Sequence, residues 1–152
     1  ELNLALPSIR LIFLLSNKGL IDLCFSKREV KRSYLLRKWL HINYETGLEK
    51  LDEDSRLELH RELEEFLPAL ILQLPPIQQK SWLARWRDLS DPLFHPFYPI
   101  DGVTLQETLD LSEGPLLGQL LHHLCKEQAF GRLATRHEAI KGARYWWAQN
   151  AP

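Results

Sequence analysis

Three prolines fall within the twelve residues from Asp91 to Gly102, DPLFHPFYPIDG, which denies that stretch a helix and leaves no room for a central strand. The sequence on either side is patterned for helix, so any fold must be built around this interruption. Phe94, Phe97 and Tyr98 within it predict a packed connection rather than a loose one. Residues 1–90 therefore read as a helical body, 91–102 as a linker and 103–152 as a smaller helical tail. Apolar and polar residues nowhere alternate over a useful length. The expected class is all-α, a short-helix bundle followed by a helical tail subdomain, with no sheet. With 152 residues, 45% of them hydrophobic, the chain has enough apolar material for a real core.

Local signals place the elements. Pro7 to Ser16 is apolar nearly all round and predicts a helix that is buried here or packed on a preceding part of a longer chain. Asn17-Lys18-Gly19 reads as its C-cap and turn, followed by a short apolar segment from Leu20 to Phe25. Ser26 with Glu29 three residues on forms a capping box and opens a helix ending near His41–Gly47. Leu59, Leu63, Phe66, Leu67, Leu70 and Leu74 recur at helical spacing over 53–74, and Pro68 inside the pattern should kink or split it. Pro75-Pro76 ends that run and opens another, with Trp82, Leu83, Trp86 and Leu89 on one face. Beyond the linker come a helix over Val103–Leu109, a second with Gly114 as N-cap and Pro115 in first position, and a third opened by the Thr135/Glu138 capping box. The inner faces should be Leu117, Leu120, Leu121 and Leu124 on the second, and Ala139, Ile140, Ala143, Trp146 and Trp147 on the third. Gly131 stops the second helix, and the tryptophans of both regions are expected in the core.

Chemistry is sparse. The histidines at 41, 60, 95, 122, 123 and 137 make no metal-ligand spacing, and His122 and His123 point about 100° apart on a helix. No nucleophile elbow, Walker loop or dinucleotide-binding glycine set occurs. Asp52-Glu53-Asp54 has the spacing of a two-metal carboxylate pair, but it stands at a helix start, where acids meet the macrodipole favourably, and runs on into Glu58, Glu62, Glu64 and Glu65. It reads as a solvated acidic face. No catalytic residue, metal ligand or cofactor site is expected. Two cysteines, Cys24 and Cys125, are too few for a disulfide framework or a zinc site and read as buried free thiols of a cytoplasmic protein. No apolar run approaches the ~20 residues of a membrane span. A start lacking both Met and a basic leader suggests a piece of a longer chain.

Net charge is −1, but its distribution is uneven. Residues 1–44 carry eight Lys/Arg against three Asp/Glu; residues 45–68 carry three against nine; residues 114–152 carry five against two. Lys27, Lys31 and Lys38 fall within about 40° of arc on one helix, with Tyr34 beside them and Arg28 and Arg32 flanking. Such a stripe suits phosphate contacts, which give affinity without reading sequence. In the tail, the turn Asp110-Leu-Ser-Glu-Gly114-Pro115-Leu-Leu-Gly118 leads into a helix start where free backbone N–H groups and the dipole welcome a phosphate. Gly118 would permit close approach, or equally the tight packing of a helical hairpin. Lys126, Arg132, Arg136, Lys141 and Arg144 extend the basic surface.

Ile100-Asp-Gly-Val-Thr-Leu-Gln, Leu111-Ser-Glu-Gly114-Pro115-Leu-Leu-Gly118-Gln-Leu-Leu and Gly131-Arg-Leu-Ala-Thr135-Arg-His-Glu138-Ala together resemble the C-terminal region of bacterial class II tRNA nucleotidyltransferases, the CCA-adding enzymes and poly(A) polymerases. The likeness covers residues 100–147, with 1–90 similar only in helical pattern. It implies an enzyme of head, neck, body and tail, of which this chain is body and tail. The head, with its Gly-Ser turn, Asp-x-Asp, Mg and CTP or ATP, and the nucleotide-selecting neck are not in this sequence. The implied partner is tRNA, held by its acceptor stem and TΨC arm. From charge and helix-start geometry the expected contacts are Gly114, Pro115, Gly118, Lys126, Arg132, Arg136, Lys141 and Arg144, then Lys27, Lys31 and Lys38, with the acidic block 45–68 turned away from the RNA. A helical protein-interaction module and a helix-hairpin-helix DNA binder are the competing readings.

Overall fold

The computed structural model describes residues 2–150. The chain is all-α, with no strand among the described residues. It divides into two compact units, Glu1–Leu89 and Ser90–Pro152.

The first unit contains α1 (Leu2–Leu14), α2 (Asn17–Asp22), α3 (Lys27–Glu45), α4 (Glu53–Leu63), α5 (Leu67–Ile71) and α6 (Pro76–Arg87), with 3-10 turns at Leu48–Lys50 and Glu64–Phe66. Its centre is α5, five apolar residues that are all buried, with α1, α3 and α6 packed on it. The expected split at Pro68 is present. Pro68 lies in the first turn of α5, and α4 breaks at Glu64, which takes φ +43°. Glu64 is the residue whose carbonyl a proline ring four positions on would strike in a continuous helix.

Three expectations change. Asn17-Lys18-Gly19 is the first turn of α2 rather than a C-cap, because the Ser16 hydroxyl accepts from the Gly19 N–H at 3.0 Å and starts a new helix. That helix ends in a Schellman turn: Phe25 N–H donates to Leu20 O and Cys24 N–H to Ile21 O, both at 2.9 Å, with Cys24 at φ +60°. The left-handed residue of such a turn faces outward, so Cys24 is exposed while Cys125 is buried. Finally, α1 is one-sided: Ala5, Ile9 and Ile12 are buried, but Phe13 and Leu14 are 67% and 78% exposed. Of the tryptophans, Trp39 is fully buried, whereas Trp82, Trp86, Trp146 and Trp147 are half-buried. Trp82 lies 5.7 Å from the His60 ring.

The second unit holds α7 (Gly102–Leu109), α8 (Pro115–Ala129) and α9 (Arg136–Asn150). The proline-rich segment belongs to this unit. The Asp91 carboxylate accepts from the N–H groups of Leu93 and Phe94 at 3.1 Å, fixing a turn that buries both residues. Ile100 joins Leu105, Leu111, Leu117, Leu120, Leu124, Ala139 and Ala143 in one core. A side chain at Gly142 would meet Leu124 at 3.8 Å, and the His123 and Trp146 rings stack 6.1 Å apart, so α9 packs on α8 around these residues. Gly131, at φ +73°, makes the tight reversal after α8 that other residues adopt at a cost.

Both capping boxes form. The Ser26 side chain and backbone hold Glu29, the N–H groups of Ala134 and Thr135 hold Glu138, and Thr104 holds Asp101 at the start of α7. These hydrogen bonds favour the charged form and keep all three carboxyls below their usual range. A carboxyl lowered in the folded state contributes stability that is present above its unfolded pKa and lost as pH falls through the folded one. Glu138→Gln should therefore flatten the acid side of the thermal-stability profile of α9 below the ordinary Glu range. An acid limb identical to wild type would show that this cap contributes nothing.

Candidate nucleic-acid interface

The basic helix α3 is not a free stripe. Lys38 Nζ donates to Glu58 at 2.7 Å and to Glu62 at 2.9 Å, and lies 4.7 Å over the Trp39 ring. Its pKa nevertheless stands raised: burial pulls it down, and the two carboxylates more than offset that. Arg28 and Arg32 both pair with Glu65, and Arg32 also covers Phe66 at 3.8 Å. Part of the acidic block therefore packs beside α3, and Lys38 is occupied within the fold. Lys27 and Lys31 differ: both are exposed and have no carboxylate partner among the described residues. Asp52, Glu53 and Asp54 stand at the start of α4, with Asp52 accepting from Ser55 N–H at 2.7 Å.

In the second unit the predicted residues separate into two ends and a middle. Gly114 and Pro115 open α8 as expected, with no side chain capping the end and no acid in the first turn. Gly118 follows in the second turn, exposed, with open space where a Cβ would stand. Packing does not require this glycine, although one inside an exposed helix costs about 0.5–1 kcal/mol. Gly118→Ala should stabilise the unit by about that amount and, if a phosphate backbone passes there, weaken RNA binding. A substitution that destabilises, measured by urea unfolding, would show a packing demand instead.

At the other end of α8, Lys126 is half-buried in the last turn. Arg132 is held: its guanidinium grips Glu127 through Nε at 2.9 Å and Nη2 at 2.8 Å and lies 5.5 Å over Phe130. Sequence explains this afterwards. The Schellman turn at Gly131, with Arg132 N–H bonded to Glu127 O at 2.8 Å, brings the side chains of 127 and 132 together. The middle of the surface is α9. Ala139 and Ala143 face the core, leaving His137, Lys141, Arg144 and Tyr145 on the outward side, all exposed, with Arg136 at the helix start. Arg136, Lys141 and Arg144 have no carboxylate partner among the described residues. Glu138 is the one acid on α9, and the cap of its own helix holds it.

Along α9, Arg136 stands at the start, and Lys141 and Arg144 follow roughly 8 and 12 Å further on at about 1.5 Å per residue. His122 is exposed and His123 half-buried against Trp146, where burial holds its pKa down. Among the described residues no cluster of three or more His, Cys, Asp or Glu could hold a metal, and no helix is long and apolar enough to cross a membrane. Comparison with family models, with curated proteins and with solved structures gives no match to this chain.

Proposed function

We propose that this chain is a cytoplasmic tRNA-holding module, gripping the acceptor stem and TΨC arm through the phosphate backbone. In this reading it presents the RNA 3′ end to a nucleotidyltransferase head of the CCA-adding or poly(A) polymerase type. One observation carries it: Arg136 at the start of α9 and Lys141 and Arg144 on its outward face have no carboxylate partner among the described residues, while much of the basic helix α3 is paired within its own unit. A fold that compensates one set of cations and leaves another exposed suits an anionic partner at the second. Shape and backbone recognition fits duplex RNA, whose deep major groove offers little for side chains to read. The motifs of residues 100–147 point the same way, and Mg and CTP or ATP belong to the head rather than to this surface.

The test is competition between a tRNA acceptor–TΨC minihelix and a DNA hairpin of the same sequence. The reading expects the RNA to displace the DNA. Equal or tighter binding of DNA favours the helix-hairpin-helix alternative. Binding of neither removes nucleic acid as the partner of this chain acting alone.

A further inference from the structure

An open groove of about 530 Å³ runs between α2 and the start of α3. Ile21, Phe25 and Val30 line it, together with Lys27, Lys31 and Tyr34. Ile21 and Tyr34 are 60% and 57% exposed, a large apolar exposure for so small a unit. The charges beside it are selective. Arg28 and Arg32 on the same helix are taken by Glu65, and Lys38 by Glu58 and Glu62. Lys27 and Lys31 alone of the three-lysine stripe have no carboxylate partner among the described residues.

We infer that this groove binds unpaired nucleotides of an RNA strand, a base lying against Tyr34 and Phe25 and its phosphates meeting Lys27 and Lys31. The inference rests on the RNA reading above and adds a single-strand site to it. Lys27 and Lys31 are one helical turn apart, about 6 Å between Cβ atoms, on the scale of neighbouring phosphates along one strand. Aromatic rings beside lysines are how proteins hold single strands without reading their sequence. An acidic amphipathic helix is the other occupant the charges allow, but helix-in-groove binding uses a row of anchors at i, i+3, i+4 and i+7. The lining here is Ile21 and Val30 with two aromatic rings, Phe25 and Tyr34, and two lysines, a set that matches bases and their phosphates.

The experiment titrates fluorescein-labelled hexa-adenylate RNA, and separately the blunt RNA minihelix, into the whole chain, with matched far-UV CD to confirm folding. Tyr34→Ala, and Lys27→Gln with Lys31→Gln, should each weaken hexa-adenylate binding about tenfold or more, and Tyr34→Ala should leave the minihelix unchanged. Tyr34→Phe should keep wild-type affinity, because stacking needs the ring and not the hydroxyl. Hexa-adenylate affinity that survives Tyr34→Ala, an abasic ribose-phosphate hexamer that binds as well, or an acidic apolar peptide that binds this groove more tightly than RNA would each overturn the inference. A minihelix that fails to bind, with hexa-adenylate behaving as described, would count against the duplex reading alone.

Discussion

Replacing Arg136, Lys141 and Arg144 together with glutamine is expected to weaken binding of the tRNA minihelix by on the order of a few hundredfold at about 0.1 M salt. Each phosphate contact releases about 0.9 of a condensed counterion, so at that salt each contributes a little under a factor of ten. All three side chains are exposed and lack a carboxylate partner among the described residues, so their removal breaks no ion pair within the fold. The comparison that makes the result specific is Arg132→Gln, in which a cation already gripped by Glu127 is lost. Its effect should stay within a few-fold, as should that of Lys38→Gln, whose partners are Glu58 and Glu62. A triple variant that binds as wild type, or an Arg132 variant that loses as much, would place the contacts elsewhere.

The largest expected effect on stability is at Trp39. This side chain is 1% exposed in the first unit, and its indole N–H donates to Glu62 at 2.8 Å. Trp39→Ala removes the largest fully buried side chain there and should cost about 3–5 kcal/mol, through lost burial and the cavity left behind. Glu62 would keep Lys38 as a partner, so no carboxylate is stranded and the loss measures packing. Hydrogen exchange of the α3 and α5 amides, with denaturant unfolding, reads it. A cost under about 1 kcal/mol would mean that the site collapses readily or that Trp39 is not buried as described.

What could be read in the sequence was what local chemistry decides. Ser26 with Glu29, Thr135 with Glu138, the break imposed by Pro68 and the stop at Gly131 each depend on residues a few positions apart, and all are present. The all-α class followed from the same signals. The charge pairing could not be read this way. Lys38 meets Glu58 and Glu62 from 20 and 24 residues away, and Arg28 meets Glu65 from 37. Helical periodicity puts Lys38 on the same stripe as Lys27 and Lys31 but is silent on which helix covers that stripe. The groove beside α2 was hidden for a related reason: Asn17-Lys18-Gly19 passes for a terminator until Ser16 is seen to cap a new helix. Cys24 is exposed because of backbone conformation, which the apolar residues around it conceal.

The most direct measurement of the central claim is the affinity of the unmodified chain for the tRNA minihelix as salt is raised from about 50 to 300 mM. If α9 holds the phosphate backbone, log Kd should rise linearly with log salt with a slope of about 3 or more, and the triple glutamine variant should lower that slope by about 3. Absent binding at the lowest salt, or a slope near zero, would contradict the claim that this surface holds RNA.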